Sequence, residues 1–117
     1  MTEEWKAIPG TNGYYEVSSL GRVRSLMCDR TRVMKLVQKP NGVFKVNIRP
    51  PGKPQRSIQV NRLVLEAFRG PPGYREIAYH EDGDKKNNRL GNLAWISESY
   101  QKRLTHRAFP FLISESN

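Results

Sequence analysis

Tyr79-His80-Glu81-Asp82-Gly83-Asp84-Lys85-Lys86-Asn87-Asn88-Arg89-Leu90-Gly91-Asn92-Leu93-Ala94-Trp95 is the stretch that decides how this chain folds. Ile77 to Tyr79 reads as a short strand ending at a histidine, Asp82-Gly83 as a turn, and Leu93 to Ile96 as a second strand. Glu98 to Ala108 then reads as a helix, so the order is strand, polar loop, strand, helix. A lone histidine beside carboxylates is ordinarily a surface or structural residue, and asparagines are ordinary loop formers. Only the arrangement as a whole is informative.

Immediately upstream, Leu63, Val64, Ala67 and Phe68 recur at helical spacing, and Asn61 stands where a capping residue is expected. Before that helix, Met34 to Val37, Val43 to Ile48 and Ser57 to Val60 carry the β-branched alternation of strands. Lys39-Pro40-Asn41-Gly42 joins the first two as a hairpin turn, and the expected product is a three-stranded antiparallel sheet. Alternation sends Lys45 and Arg49 to the face opposite Phe44 and Ile48, leaving one face apolar and the other cationic. Met1 to Val23 reads as short strands and turns, with Trp5, Tyr15 and Val17 pinning the arm. Leu63, Val64, Phe68, Leu93, Trp95 and Leu104 are the expected hydrophobic seam of the second half.

The 117 residues allow one small domain with a modest core. Lys and Arg number 20 against 11 Asp and Glu, for a formal charge of +9. Residues 11–62 hold eleven of these cations and only Glu16 and Asp29 as acids. Such a one-signed sheet suits a polyanion, and a cationic ribbon can follow phosphates or enter a major groove. The single cysteine, Cys28, excludes an internal disulfide and every zinc site built on two or more thiolates. No run approaches the roughly 20 apolar residues of a membrane span, and Thr2-Glu3-Glu4 is unlike a secretory start. A cytoplasmic monomer that makes no membrane contact is expected.

The stretch from Tyr79 to Trp95 resembles the HNH, or ββα-metal, endonucleases, in particular the small phage and intron-encoded homing endonucleases. Glu4-Trp5-Lys6-Ala7-Ile8-Pro9-Gly10 and Gly13-Tyr14-Tyr15-Glu16-Val17-Ser18-Ser19-Leu20-Gly21-Arg22-Val23-Arg24-Ser25 are similar to the nuclease-associated modular motif that precedes the HNH core. Val60 to Phe68 is similar to the family's connecting helix, where a histidine more often replaces Asn61. The resemblance implies an α+β fold: an N-terminal antiparallel DNA-binding sheet in residues 1–60, an HNH core in 61–108 and a tail in 109–117.

It further implies that His80 is the general base that takes a proton from the attacking water, a task suited to an imidazole with an ordinary pKa of about 6.5. Asn92 matches the asparagine that orients that ring. A divalent ion, Mg²⁺ or Mn²⁺, is implied at the scissile phosphate of double-stranded DNA. The ligand positions fall on Tyr79 and Gln101, with His106 one turn further along. A neutral phenol is a poor ligand for a hard cation. Glu81, Asp82, Asp84, Asn87 and Asn88 are expected to close the loop by hydrogen bonds to its own backbone, the turn carboxylates facing away from the cleft. Arg22, Arg24, Arg32, Lys35, Lys45 and Arg49 are the expected sheet contacts to DNA, with Lys85, Lys86 and Arg89 for phosphates beside the site. Two functions fit: a DNA nickase, favoured by His80 and Asn92, or a DNA-binding or host-binding factor with cleavage lost, favoured by Tyr79 and Gln101.

Overall fold

Glycine and proline interrupt the chain so often that its strands are short, and the fold is built from three small antiparallel sheets gathered around one helix. The computed structural model describes residues 2–27 and 30–108, the side chains of 104–108 excepted. Cys28 and the tail from Phe109 to Asn117 lie outside the described residues, as do the side chains of Leu104 and His106.

The first sheet has the order β1(Trp5–Ala7), β2(Tyr15–Ser18), β3(Val23–Ser25), β4(Arg32–Val33). The second runs β5(Val37–Gln38), β6(Phe44–Ile48), β7(Arg56–Gln59), which is the three-stranded sheet expected, its first strand starting at Val37 rather than Met34. In the turn between β5 and β6 only Gly42 takes a positive φ, at 94°, and its N–H donates to the Lys39 carbonyl at 2.9 Å. Alternation on β6 holds: Val46 and Ile48 are fully buried while Asn47 and Arg49 are exposed. Helix α1 spans Val60–Arg69. Gln59, not Asn61, is its N-cap; Asn61 lies inside the first turn, where its Oδ1 accepts the Arg62 N–H at 2.9 Å.

The second half is β8(Glu76–His80), a 3₁₀ turn at Leu90–Asn92, β9(Leu93–Ser97) and α2(Glu98–Ala108), a strand, loop, strand, helix unit as the sequence implies. β8 and β9 pair in antiparallel register with His80 opposite Leu93. Helix α1 packs on β1, β2, β6 and β7 and equally on β8 and β9. One core therefore serves both halves, with Tyr15, Val17, Val23, Val46, Ile48, Leu63, Val64, Leu65 and Leu93 all buried in it. Phe68 and Trp95 are only partly buried against it, and the Trp95 indole N–H donates to the Gly70 carbonyl at 3.0 Å, which satisfies the ring's polar edge.

A backbone contact ties the N-terminal sheet to the loop after β8: the Leu90 N–H donates to the Ser19 carbonyl at 2.8 Å. Beside it, Gly21 has φ of 89°, and a Cβ there would stand 2.8 Å from the Cβ of Asn88. Only glycine permits both the left-handed backbone and that approach.

Candidate active site

The loop between β8 and β9 is closed by its own polar side chains, which sets where His80 sits. Asp82 Oδ1 accepts the Asp84 N–H at 2.8 Å, Asp84 Oδ1 accepts the Lys86 N–H at 3.0 Å, and the Asn87 amide donates to Asp82 Oδ2 at 2.8 Å. The first two are Asx-type turns and the third a side-chain bond across the loop, and together they give Asp82, Asp84 and Asn87 a structural role. Bonds from the Asn87 amide and then the Asp84 N–H hold the Asp82 carboxyl below its usual range, with Asn92 and the nearby His80 contributing less.

Asn92 belongs to this loop scaffold and not to the histidine. Its Oδ1 accepts the Asp82 N–H at 3.0 Å, and its Nδ2 donates to Asp82 Oδ1 at 3.0 Å and to the Asn87 carbonyl at 2.8 Å. The expectation that Asn92 bonds the ring is corrected by Asn88, whose buried Oδ1 lies 2.8 Å from His80 Nε2. The reason lies in the loop's geometry: the 3₁₀ turn before β9 aims Asn92 at the turn residues, while Asn88 is pressed inward beneath Gly21. An amide oxygen only accepts, so this contact favours, in the neutral ring, the tautomer with its hydrogen on Nε2 and its lone pair on Nδ1.

His80 is 9% exposed and lines a cleft of about 240 Å³ together with Tyr79, Gln101, Asn61, Gln59, Val43, Gly83, Ala78 and Lys85. Tyr79 and Gln101 are thus brought together with the histidine, as the resemblance implies. Val43 comes from the turn before β6 and Gln59 from the end of β7, so the N-terminal half forms one wall. Gln59 also lines an adjoining polar groove of about 500 Å³ with Lys45, Arg56, Ser57, Arg62 and Glu66. Of these, Lys45 was anticipated as a DNA contact; Arg56 and Arg62 were not, because the β7–α1 junction that turns them toward Lys45 has no local signature. A larger hollow of about 550 Å³, bounded by Thr2, Glu4, Ser19, Arg89 and the loop, contains neither His80, Tyr79 nor Gln101.

Arg22 and Arg24 are engaged within the protein. Arg22 is ion-paired to Glu3, Arg24 Nε donates to Glu16 Oε1 at 2.8 Å, and their guanidinium carbons lie 5.5 and 4.1 Å from the Trp5 ring centroid. The bond from Arg22, then one from Ser18, lowers Glu3 to about 2 from 4.5. Because the folded value is the lower one, the stabilisation is complete above pH 4.5 and fades as pH falls toward 2. Glu3→Gln is therefore expected to lower Tm at neutral pH, and the gap from the unaltered protein, followed by thermal melts from pH 6 downward, closes toward pH 2. Arg32, Lys35, Lys86 and Arg89 are exposed, and Arg49 extends from the solvent end of β6.

Residues 3–49 match the NUMOD4 motif. The chain is 36% identical over 97 residues to DNA endonuclease I-HmuI of Bacillus phage SP01, covering 81% of this chain and 53% of that protein. It is 32% identical over 104 residues to the uncharacterized HNH endonuclease L247 of Acanthamoeba polyphaga mimivirus, covering 84% of this chain and 25% of that protein. A solved structure described as DNA binding and cleavage by the HNH homing endonuclease I-HmuI superposes with a TM-score of 0.78 at 30% identity, over 90% of this chain and 58% of that one. The chain thus spans about half the length of I-HmuI.

HNH endonucleases generally act with a divalent cation. The donor set of this cleft does not fit a resident ion: its lining offers amides, a phenol and an imidazole, no carboxylate, and an ammonium from Lys85. Hard divalent cations are held by oxygen ligands that include carboxylates. Among the described residues, no group of three or more His, Cys, Asp or Glu is placed to hold a metal.

Proposed function

Because the chain belongs to the HNH homing endonuclease family, we propose that it hydrolyses a phosphodiester bond in one strand of double-stranded DNA, with His80 as general base. The observation that carries this reading is the Asn88 contact, which holds the His80 ring at the cleft wall with Nε2 2.8 Å from an amide oxygen and so favours the neutral tautomer whose free lone pair is on Nδ1. Nδ1 takes a proton from water as the water oxygen bonds to phosphorus. The P–O3′ bond breaks with its electron pair going to O3′, which is protonated from solvent, and the imidazolium returns its proton to solvent. The products are a 3′ hydroxyl and a 5′ phosphate. Asn92 and Asp82 keep the loop, and hence the ring, in place. Mg²⁺ or Mn²⁺ is the cofactor inferred from the family, supplied by solution; Tyr79 and Gln101 stand at the ligand positions but give the free protein no carboxylate for it.

Residues 1–60 are assigned to holding the duplex and 61–108 to cutting it. Lys45, Arg56 and Arg62, in the groove that adjoins the cleft at Gln59, are assigned to phosphates flanking the one under attack. Lys86, Arg89, Arg32, Lys35 and Arg49 are exposed and supply further contacts, whereas Arg22 and Arg24 serve the Trp5 cluster. A second reading, a duplex-binding protein without cleavage, is favoured by the carboxylate-free cleft. Supercoiled plasmid incubated with the protein and Mg²⁺ or Mn²⁺ decides between them. Conversion to the open circle is expected; an intact plasmid that is nonetheless bound supports the second reading.

A further inference from the structure

The cleft faces a polyanion without a carboxylate-held ion of its own, yet one protein cation lines it. Lys85 is exposed and borders the same cavity as His80, Tyr79 and Gln101. Its stem is not loose. A Cβ built on Gly42 would lie 3.8 Å from Lys85 Cβ and 4.0 Å from Lys85 Cδ, so the turn between β5 and β6 flanks the aliphatic chain. At its base, Asp84 Oδ1 takes the N–H of the next residue, Lys86, and the Asp82 turn fixes the backbone before it. The neighbouring Lys86 is exposed and does not line the cleft.

Resting on the endonuclease reading, we propose that Lys85 is a catalytic residue: its ammonium contacts a non-bridging oxygen of the phosphate under attack and offsets the charge that builds there as water adds. The chemical step is unchanged, since Lys85 neither gains nor loses a proton. A fixed cation at developing charge is the contribution whose removal typically costs 10²- to 10³-fold in rate. The role also explains why a carboxylate is out of place here: beside Lys85 it would form an ion pair and compete with the phosphate for the same charge.

The test is single-turnover plasmid nicking at saturating protein in Mn²⁺, with duplex affinity measured in parallel by filter binding. Lys85→Met is expected to lower the nicking rate by about 100-fold while affinity changes by roughly threefold or less, the effect of losing one phosphate among several. Lys85→Arg, which keeps the charge, is expected to recover a large part of the rate, and Lys102→Met, at an exposed cation of α2 outside the cleft lining and the assigned DNA contacts, to leave it near that of the unaltered protein. A Lys85→Met protein that nicks normally, or loses rate only in proportion to its affinity, overturns this assignment and leaves the endonuclease reading intact. An unaltered protein that binds duplex and never nicks overturns both.

Discussion

His80→Ala is expected to lower plasmid nicking by at least about 100-fold, and by up to about 10⁴-fold, the range that a positioned general base contributes. Duplex binding should change little, because the ring is only 9% exposed. The companion substitution separates basicity from position. In Asn88→Ala the ring remains but loses the acceptor that holds its hydrogen on Nε2, so the tautomer with Nδ1 protonated becomes populated and the ring is freer to turn. Its nicking rate is expected to fall by less than that of His80→Ala. Asn92→Ala acts differently, by removing three bonds within the loop, and should lower Tm as well as rate. Nicking that survives His80→Ala would remove the histidine from the chemistry altogether.

The sequence made the second half readable because each element there is announced locally. The turn needs Gly83, the strands are apolar, and the helix bounds predicted from the pattern coincide with α2. The second sheet was nearly as legible, since alternation on β6 has only one solution that buries Val46 and Ile48. Three features were hidden because each depends on residues far apart in the chain. Asn88, the asparagine that meets His80, packs against Gly21, 67 positions earlier, a contact that motif spacing does not reveal. The pairing of Arg22 with Glu3 and of Arg24 with Glu16, both beside the Trp5 ring, depends on residues brought together from three stretches in or next to the first sheet. The wall that Val43, Gln59 and Asn61 lend to the cleft exists only once the second sheet and α1 share a core with β8 and β9. Residues 1–60 and 61–108 therefore share one core, and the loop between β8 and β9 is buttressed from the N-terminal sheet.

That buttress yields the other large effect expected. Gly13 and Gly21 both have left-handed backbone, with φ of 80° and 89°, but a Cβ on Gly13 would meet nothing within 4 Å, whereas on Gly21 it would stand 2.8 Å from Asn88 Cβ and 3.1 Å from the Asn88 carbonyl oxygen. Gly13→Ala thus isolates the backbone cost, about 1–3 kcal/mol, and Gly21→Ala adds overpacking against backbone, about 1–3 kcal/mol more. Urea denaturation should rank them in that order. The two substitutions should also part in activity, measured at a temperature where both proteins are folded. Relief of the clash moves Asn88, the residue that holds the His80 ring, so Gly21→Ala is expected to nick more slowly than Gly13→Ala at equal folded concentration. Equal rates would mean that the histidine keeps its position without pressure from the N-terminal sheet, and that the link between the halves carries stability alone.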